Sequence, residues 1–172
     1  MALTDAQIER YSRQIIVPHV GGRGQERLFA ASVRLIGDER DIEAPHAYLV
    51  GAGVGKISVR EEEFRNASDL ALMLIGSEAA RRAAEEIANN RSARALVIAR
   101  LDAPGRIAIV PDAQSGVDTS VLAEVGERSE AADFIAMLAT AEAFKLLAGY
   151  AGNPPRAIIE FDGFASRVRV NP

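Results

Sequence analysis

After a short apolar run the chain reads Gly37-Asp38-Glu39-Arg40-Asp41-Ile42-Glu43, four carboxylates and one guanidinium in seven residues. A second acidic group, Glu61-Glu62-Glu63, follows another short run. Carboxylates suit magnesium or calcium, and open α/β sheets bring strand ends to one crevice. No ligand spacing supports a metal site, however, and acids at a helix start also simply favour its dipole while solvated. The loop therefore reads as a solvated helix start, with a cation or basic-partner site as the alternative. Other reactive groups are sparse. His19 and His46 have no acid or nucleophile at usable spacing and read as structural or exposed. Ser68, Ser115 and Ser120 lack a nucleophile elbow or a nearby base. The chain has no cysteine, which excludes disulfides, thiolate zinc sites and a cysteine nucleophile.

These side chains need elements to position them. Thr4-Asp5-Ala6-Gln7 has the capping-box pattern and opens an amphipathic helix to about Ile16. Pro18 and Gly21-Gly22-Arg23-Gly24 should break it before a second short helix over Gln25 to Ala31. Val33 to Gly37 reads as the first buried strand, and Lys56 to Arg60 as the second. Pro45 suits the first turn of the helix between them, where its missing N–H costs nothing. Glu78 to Asn90 carries alanines at helical spacing. Ala95 to Ala99 and Arg106 to Val110 are further strands, and Pro111 to Ser120 a loop. Ala131 to Ala148 has a wide apolar face. The end reads as a hairpin, Ala157 to Phe161 and Phe164 to Val170, around an Asp162-Gly163 turn.

The pattern is α/β: a Rossmann-like, mostly parallel sheet flanked by helices, with a C-terminal antiparallel β-hairpin. The length of 172 residues fits a single domain, divided into a helical arm (1–31), a core (32–128), and a long helix with hairpin (129–172). A net charge of −4 gives no nucleic-acid footprint. No apolar run is long enough for a membrane span, and the polar N-terminus is unlike a signal peptide. A soluble cytoplasmic protein is expected.

Three blocks go further. Arg10-Tyr11-Ser12-Arg13-Gln14-Ile15-Ile16-Val17-Pro18 with Gly21-Gly22-Arg23-Gly24-Gln25 is close to an RYSRQ…P…GG.GQ opening. Val33 to Val59, with Ala52-Gly53-Val54-Gly55-Lys56-Ile57, fits without a gap. Ala141-Glu142-Ala143-Phe144-Lys145-Leu146-Leu147 and Phe161-Asp162-Gly163 are similar to an ATEALKLL helix and a closing FDG strand. With these blocks the sequence resembles the ThiF/MoeB/HesA family, bacterial relatives of ubiquitin-activating enzymes. The resemblance implies adenylation of the C-terminal glycine of a ubiquitin-like protein or sulfur carrier, with ATP and magnesium.

Position by position, that chemistry is missing. The family's GxGGxG phosphate loop, which cradles phosphates with bare amides at a helix N-terminus, is replaced by Gly37, Asp38, Glu39, Arg40 and Asp41. A carboxylate about 6 Å from a phosphate charge costs about 3 kcal/mol at an effective dielectric near 20. Helix-dipole attraction of about 0.3–1 kcal/mol does not offset several of these. Glu61 and Glu63 fall at the family's acidic ribose and metal positions. In the segment matched to SNLxRQ, which follows Ser68 with Asp69, Leu72 stands at the arginine and Met73 at the glutamine. Losing that arginine removes the stabilisation of phosphoryl charge. Asp112 is what remains for a second nucleotide-contacting aspartate, in flanks that do not match. Between Val110 and Ala131 the chain lacks the family's crossover loop, zinc cysteines and catalytic cysteine.

The chain is thus expected to be a degenerate and shortened member, a pseudoenzyme with no catalytic residue, no metal, and ATP and magnesium binding lost. It should dimerise through the opening helix and Ala131 to Ala148, as a homodimer or with an active family member, and bind a ubiquitin-like or sulfur-carrier partner. Arg10 or Arg13 either acts in trans on that partner's nucleotide or only packs the dimer. Two alternatives stand: a divergent adenylyltransferase, and a sensor using the remodelled crevice for a small ligand.

Overall fold

The computed structural model describes residues 3–59, 68–117, 119–149, 156–162 and 165–170. The first elements are α1 (Asp5–Ile15), α2 (Gly21–Ala30), β1 (Ser32–Ile36), α3 (Glu39–Gly51), β2 (Lys56–Ser58) and β3 (Ser68–Ile75). They are followed by α4 (Glu78–Asn89), β4 (Ala93–Arg100), β5 (Gly105–Val110), α5 (Ala132–Ala148), β6 (Ala157–Asp162) and β7 (Ala165–Val170). One seven-stranded sheet runs in the order β2-β1-β3-β4-β5-β6-β7. The expected α/β architecture is present. β2, β1, β3 and β4 pair in parallel, and the antiparallel part begins with β5, one strand before the terminal hairpin.

The central strands are apolar on both faces, as parallel strands covered by helices on each side must be. Leu35, Leu72, Leu74 and Val97 pack beneath α3 and α5, with Ile42, Leu49, Ile135 and Ala139. Ala71, Met73, Ile75 and Ile98 face α4 through Ala84 and Ile87. β1 leads through α3 to β2 on one side, and β3 leads through α4 to β4 on the other. The chain order therefore reverses between β1 and β3, the place where open α/β sheets present a crevice beyond their strand ends.

Several local expectations change. The Thr4–Gln7 capping box forms as read, and α5 spans nearly the range expected. Gly21-Gly22-Arg23-Gly24, however, forms the first turn of α2 instead of preceding it. Gly24 permits close approach, since a Cβ there would lie 3.2 Å from the Ala148 carbonyl at the end of α5. Pro45 lies in the second turn of α3, not the first, because Asp38 starts the helix earlier. Segment 68–73 belongs to β3, a central strand, because its six residues are mostly apolar and pair on both sides with β1 and β4. The register pairs Asp162 with Ala165, so Asp162 belongs to β6, and Gly163 of the expected turn lies outside the described residues.

Candidate functional site

At the reversal point the tips of two strands and two helices meet. Gly37 and Asp38 leave β1, and Gly76 and Ser77 leave β3. A Cβ on Gly37 would lie 2.9 Å from Ile42 and 3.1 Å from Leu74, so this glycine is explained by the packing of β1, α3 and β3. Asp38 is the N-cap of α3 by backbone, yet its carboxylate does not cap the helix. It accepts instead from the Ser77 hydroxyl at 2.8 Å. Ser77 in turn accepts from the Ala80 amide at 3.2 Å and caps α4.

Asp41, one turn into α3, points inward with no exposed side-chain surface. It lies against Gly76, where a Cβ would collide with its Oδ2. A buried carboxylate needs a counter-charge, and Arg128 supplies it, with Nη1 2.8 Å from Asp41 Oδ1. The other end of the same guanidinium, Nη2, donates to Asp133 Oδ1 at the start of α5, at 2.9 Å. Neither Asp41 oxygen nor Arg128 Nη1 makes a well-aligned hydrogen bond, so charge and contact hold the pair.

Arg128 arrives on a strap of chain, the end of the stretch between β5 and α5, that crosses the tips of β3 and β4. Val121 and Leu122 anchor its first part in the core facing α4. Arg81 donates to the Leu122 carbonyl at 3.1 Å. Arg100, at the end of β4, donates to the carbonyls of Ala123 at 2.9 Å and Glu124 at 2.6 Å. Its Nε donates to Asp102 Oδ1 at 2.9 Å, and its Nη2 to Asp102 Oδ2. Asp102 Oδ2 also accepts the Gly126 amide at 2.8 Å. Backbone bonds from Ala103 to Glu127 and from Ser129 to Leu101, at 2.9 and 2.8 Å, complete the seam. Burial opposes ionisation of Asp102, but the Arg100 hydrogen bond, the Gly126 amide and the Arg100 charge outweigh it, holding the carboxyl below the ordinary range. The strand-end crevice is thus roofed by the chain itself.

The structure separates the residues read as one site. Gly37, Asp38 and Asp41 gather at the crevice, while Glu39 and Arg40 next to them face solvent. The expectation of a solvated acidic loop is corrected for Asp41, which is buried and ion-paired, and for Asp38, which is half-buried on Ser77. Asp69 lies at the opposite end of the sheet, where its Oδ2 accepts the Ser32 amide at 2.9 Å and the Ser32 hydroxyl at 2.8 Å. Leu72 is sealed in the middle of β3 opposite Leu35. Its placement at a phosphate-facing arginine position is therefore wrong, because a central strand occupies that stretch. Glu61 and Glu63 lie outside the described residues. Arg10 and Arg13 are exposed on α1. That helix docks through Gln14 on the Ala52 carbonyl and Gln25 (3.1 and 2.7 Å), and through Tyr11 on Phe29, beside the turn that precedes β2. Within this chain they stand at the end of the strands away from Gly37. The sequence reading missed Arg100, Asp102 and Arg128. The one signal for them was the pair of charges, Arg100 and Asp102, that ends the apolar run of β4.

Known proteins share parts of this chain. "Adenylyltransferase and sulfurtransferase MOCS3" of Bos taurus is 40% identical over 79 residues, 45% of this chain and 17% of that protein. The "Sulfur carrier protein adenylyltransferase" of Thermus thermophilus is 43% identical over 70 residues, 41% of this chain and 26% of that protein. Over those stretches the chain is similar to adenylyltransferases of the ThiF/MoeB family. No family model matches it, and its matches span only about a sixth to a quarter of those two relatives. The fold extends across nearly the whole chain in solved structures. E. coli MccB with succinimide superposes with a TM-score of 0.62 at 11% identity, over 94% of this chain and 71% of that one. PaaA superposes with a TM-score of 0.58 at 14% identity, over 98% and 75%. In this chain the turn after β1 carries the inward acids Asp38 and Asp41, and the guanidinium groups of Arg100 and Arg128 are each bound to carboxylates.

Two measurements check the seam. Arg128→Ala strands the Asp41 charge and should cost about 3–5 kcal/mol in denaturant unfolding. Adding Asp41→Asn should recover part of the loss, and additive losses would mean that the two side chains do not interact. The Asp102 carboxyl titrates lower folded than unfolded, so its contribution is complete above the unfolded value near 3.9 and is lost as pH falls through the folded one. Stability of the native chain should therefore fall more steeply below about pH 4 than that of Asp102→Asn; parallel curves would contradict the assignment.

Proposed function

We propose that the chain is a non-catalytic ThiF/MoeB-like scaffold that works as a dimer and holds a protein partner. One observation carries this reading: the crevice at the β1–β3 reversal is taken up by the chain's own strap and by the Asp41–Arg128 pair. A nucleotide polyanion bound there would meet Asp38, Asp41, Asp102 and Asp133, against Arg100 and Arg128, both tied to these acids, and the exposed Arg40. Opening the site would also strand Asp41 in a dry interior, at a cost of several kcal/mol. Adenylation depends above all on electrostatic stabilisation of the developing phosphoryl charge, and the buried guanidinium groups at this crevice, Arg100 and Arg128, are both bound to carboxylates.

The partner reading draws on the relatives and on the surface. The Thermus thermophilus relative is named for acting on a sulfur carrier protein, so a carrier of that kind, or an active family member, is the partner class proposed here. Helix α1 buries none of its residues and leaves Ile8 exposed, and Ile16 and Val17 just past its end are exposed as well, apolar surface suited to a second chain. No helix among the described residues is long and apolar enough to cross a membrane, and we place the scaffold's work in the cytoplasm. Arg10 and Arg13 are assigned to interface packing.

Calorimetric titration with Mg-ATP, run beside pyrophosphate exchange with a sulfur-carrier protein, tests the reading. No binding heat at millimolar nucleotide and no exchange are expected. Micromolar binding, or any exchange, would make the chain a divergent adenylyltransferase.

A further inference from the structure

The bend between α1 and α2, beside the end of α5, encloses an open hollow of about 540 Å³. Part of its wall is apolar. Ile15, Ile16, Val17 and Pro18 follow one another along it, and Ile16 and Val17 are 78% and 42% exposed. The rest is basic. Arg23 and Arg27, four residues apart on α2 and therefore on one side of that helix, both line the hollow, and none of the described residues lining it is acidic. Several arginines elsewhere are bound to carboxylates: Arg81 to Glu78, Arg100 to Asp102, and Arg128 to Asp41. Arg23 has no ion pair or hydrogen bond among the described residues, and Arg27 donates only to the Ala148 carbonyl, at a long 3.5 Å. In a chain of net charge −4, two uncommitted guanidinium groups beside an apolar wall favour an anion that also carries apolar surface.

The backbone agrees with that charge. His19 and Gly21 adopt left-handed φ angles of 70° and 60° on either side of the right-handed Val20, an alternation that turns successive amides towards one concavity. Helix α2 has no side-chain cap, and its first internal bond runs from the Gly24 amide to the Val20 carbonyl, at 2.8 Å. Packing does not require Gly22, because a Cβ there would meet only Leu3, at 3.8 Å. These amides add to the site, but the guanidinium pair and the apolar wall define it.

We propose that this hollow binds a small amphipathic carboxylate, an aliphatic acid whose chain lies along Ile16 and Val17 and whose head pairs with Arg23 and Arg27. A planar guanidinium fork matches a carboxylate, and the apolar wall favours a chain that a bare anion lacks. A polyphosphate has nothing to set against that wall, which separates this site from nucleotide chemistry. The inference goes beyond the scaffold reading and stands without it, although Ile16 and Val17 are shared with the surface assigned above to a second chain.

Titration of the full chain with octanoate, followed by amide chemical shifts, tests it. Shifts should centre on Gly21, Gly22 and Arg23, with half-saturation at about 0.1–1 mM. Butyrate should bind at least about tenfold more weakly, because it buries less chain. Octanol, which keeps the chain and lacks the charge, should also bind at least about tenfold more weakly. Arg23→Gln removes a group that bonds nothing in the chain, so the thermal midpoint should stay while octanoate binding loosens about fivefold or more. Val17→Asn should narrow the difference between butyrate and octanoate. No shift at these amides with about 10 mM octanoate overturns the site. So does octanol binding as tightly as octanoate, butyrate matching octanoate, or an unchanged affinity in Arg23→Gln. None of these results bears on the Mg-ATP titration, so this site and the scaffold reading fail separately.

Discussion

The rest of the molecule depends on a buried charge. Asp41 sits one turn inside α3, without solvent, where its carboxylate is tolerable only beside a cation. That cation is Arg128, distant in sequence, so the stretch between β5 and α5 has to come back across the strand tips. Once it does, the other bonds follow from position. Arg100 and Arg81 hold its carbonyls, Asp102 takes an amide from it, and Asp133 orients the far side of the guanidinium. Gly76 has to be glycine because Asp41 occupies the space of a side chain. One ion pair therefore joins the start of α3, the tip of β3 and the start of α5, three elements that an open crevice would keep apart.

On the proposed reading, the same network lets a fold persist while the site at its reversal point changes. The sheet, its reversal point and the flanking helices are properties of the apolar pattern. Chemistry at the reversal point instead requires bare amides and uncommitted positive charge. Here the amide-rich turn after β1 holds Asp38, bound to Ser77, and the guanidinium groups are bound to acids. Gly37 remains for packing against Ile42 and Leu74, which needs no ligand. The scaffold reading follows from a surplus of negative charge in a space already filled, together with helical faces on α1, α3 and α5 that this chain leaves uncovered.

Local signals in the sequence were legible where one element decides the outcome by itself. The Thr4–Gln7 capping box, the buried run of β1 and the alanine stripe of α4 are of this kind, and they appear with nearly the expected limits. Signals that depend on a partner were not. Gly21 to Gly24 read as a helix breaker, yet they open α2, and at Gly24 the closeness of α5 accounts for the missing side chain. Pro45 read as a helix start until Asp38 supplied an earlier one. The SNLxRQ comparison placed Leu72 at a catalytic position, although an almost wholly apolar stretch from Leu70 to Ile75 is better explained as a central strand. Asp38 and Asp41 were visible as candidates, but their partners Ser77 and Arg128 were not. Nothing in local spacing reports a bond between residues so far apart in the chain.

The central claim is that the strap between β5 and α5 is a fixed part of the core. Amide hydrogen exchange at Gly126 and Ser129 tests it most directly. Both amides donate to groups at the end of β4, so they should exchange as slowly as the Leu101 amide, which bonds to Ile75, and Mg-ATP should not change their rates. Exchange at rates typical of an open surface loop, or a response to nucleotide, would contradict the account.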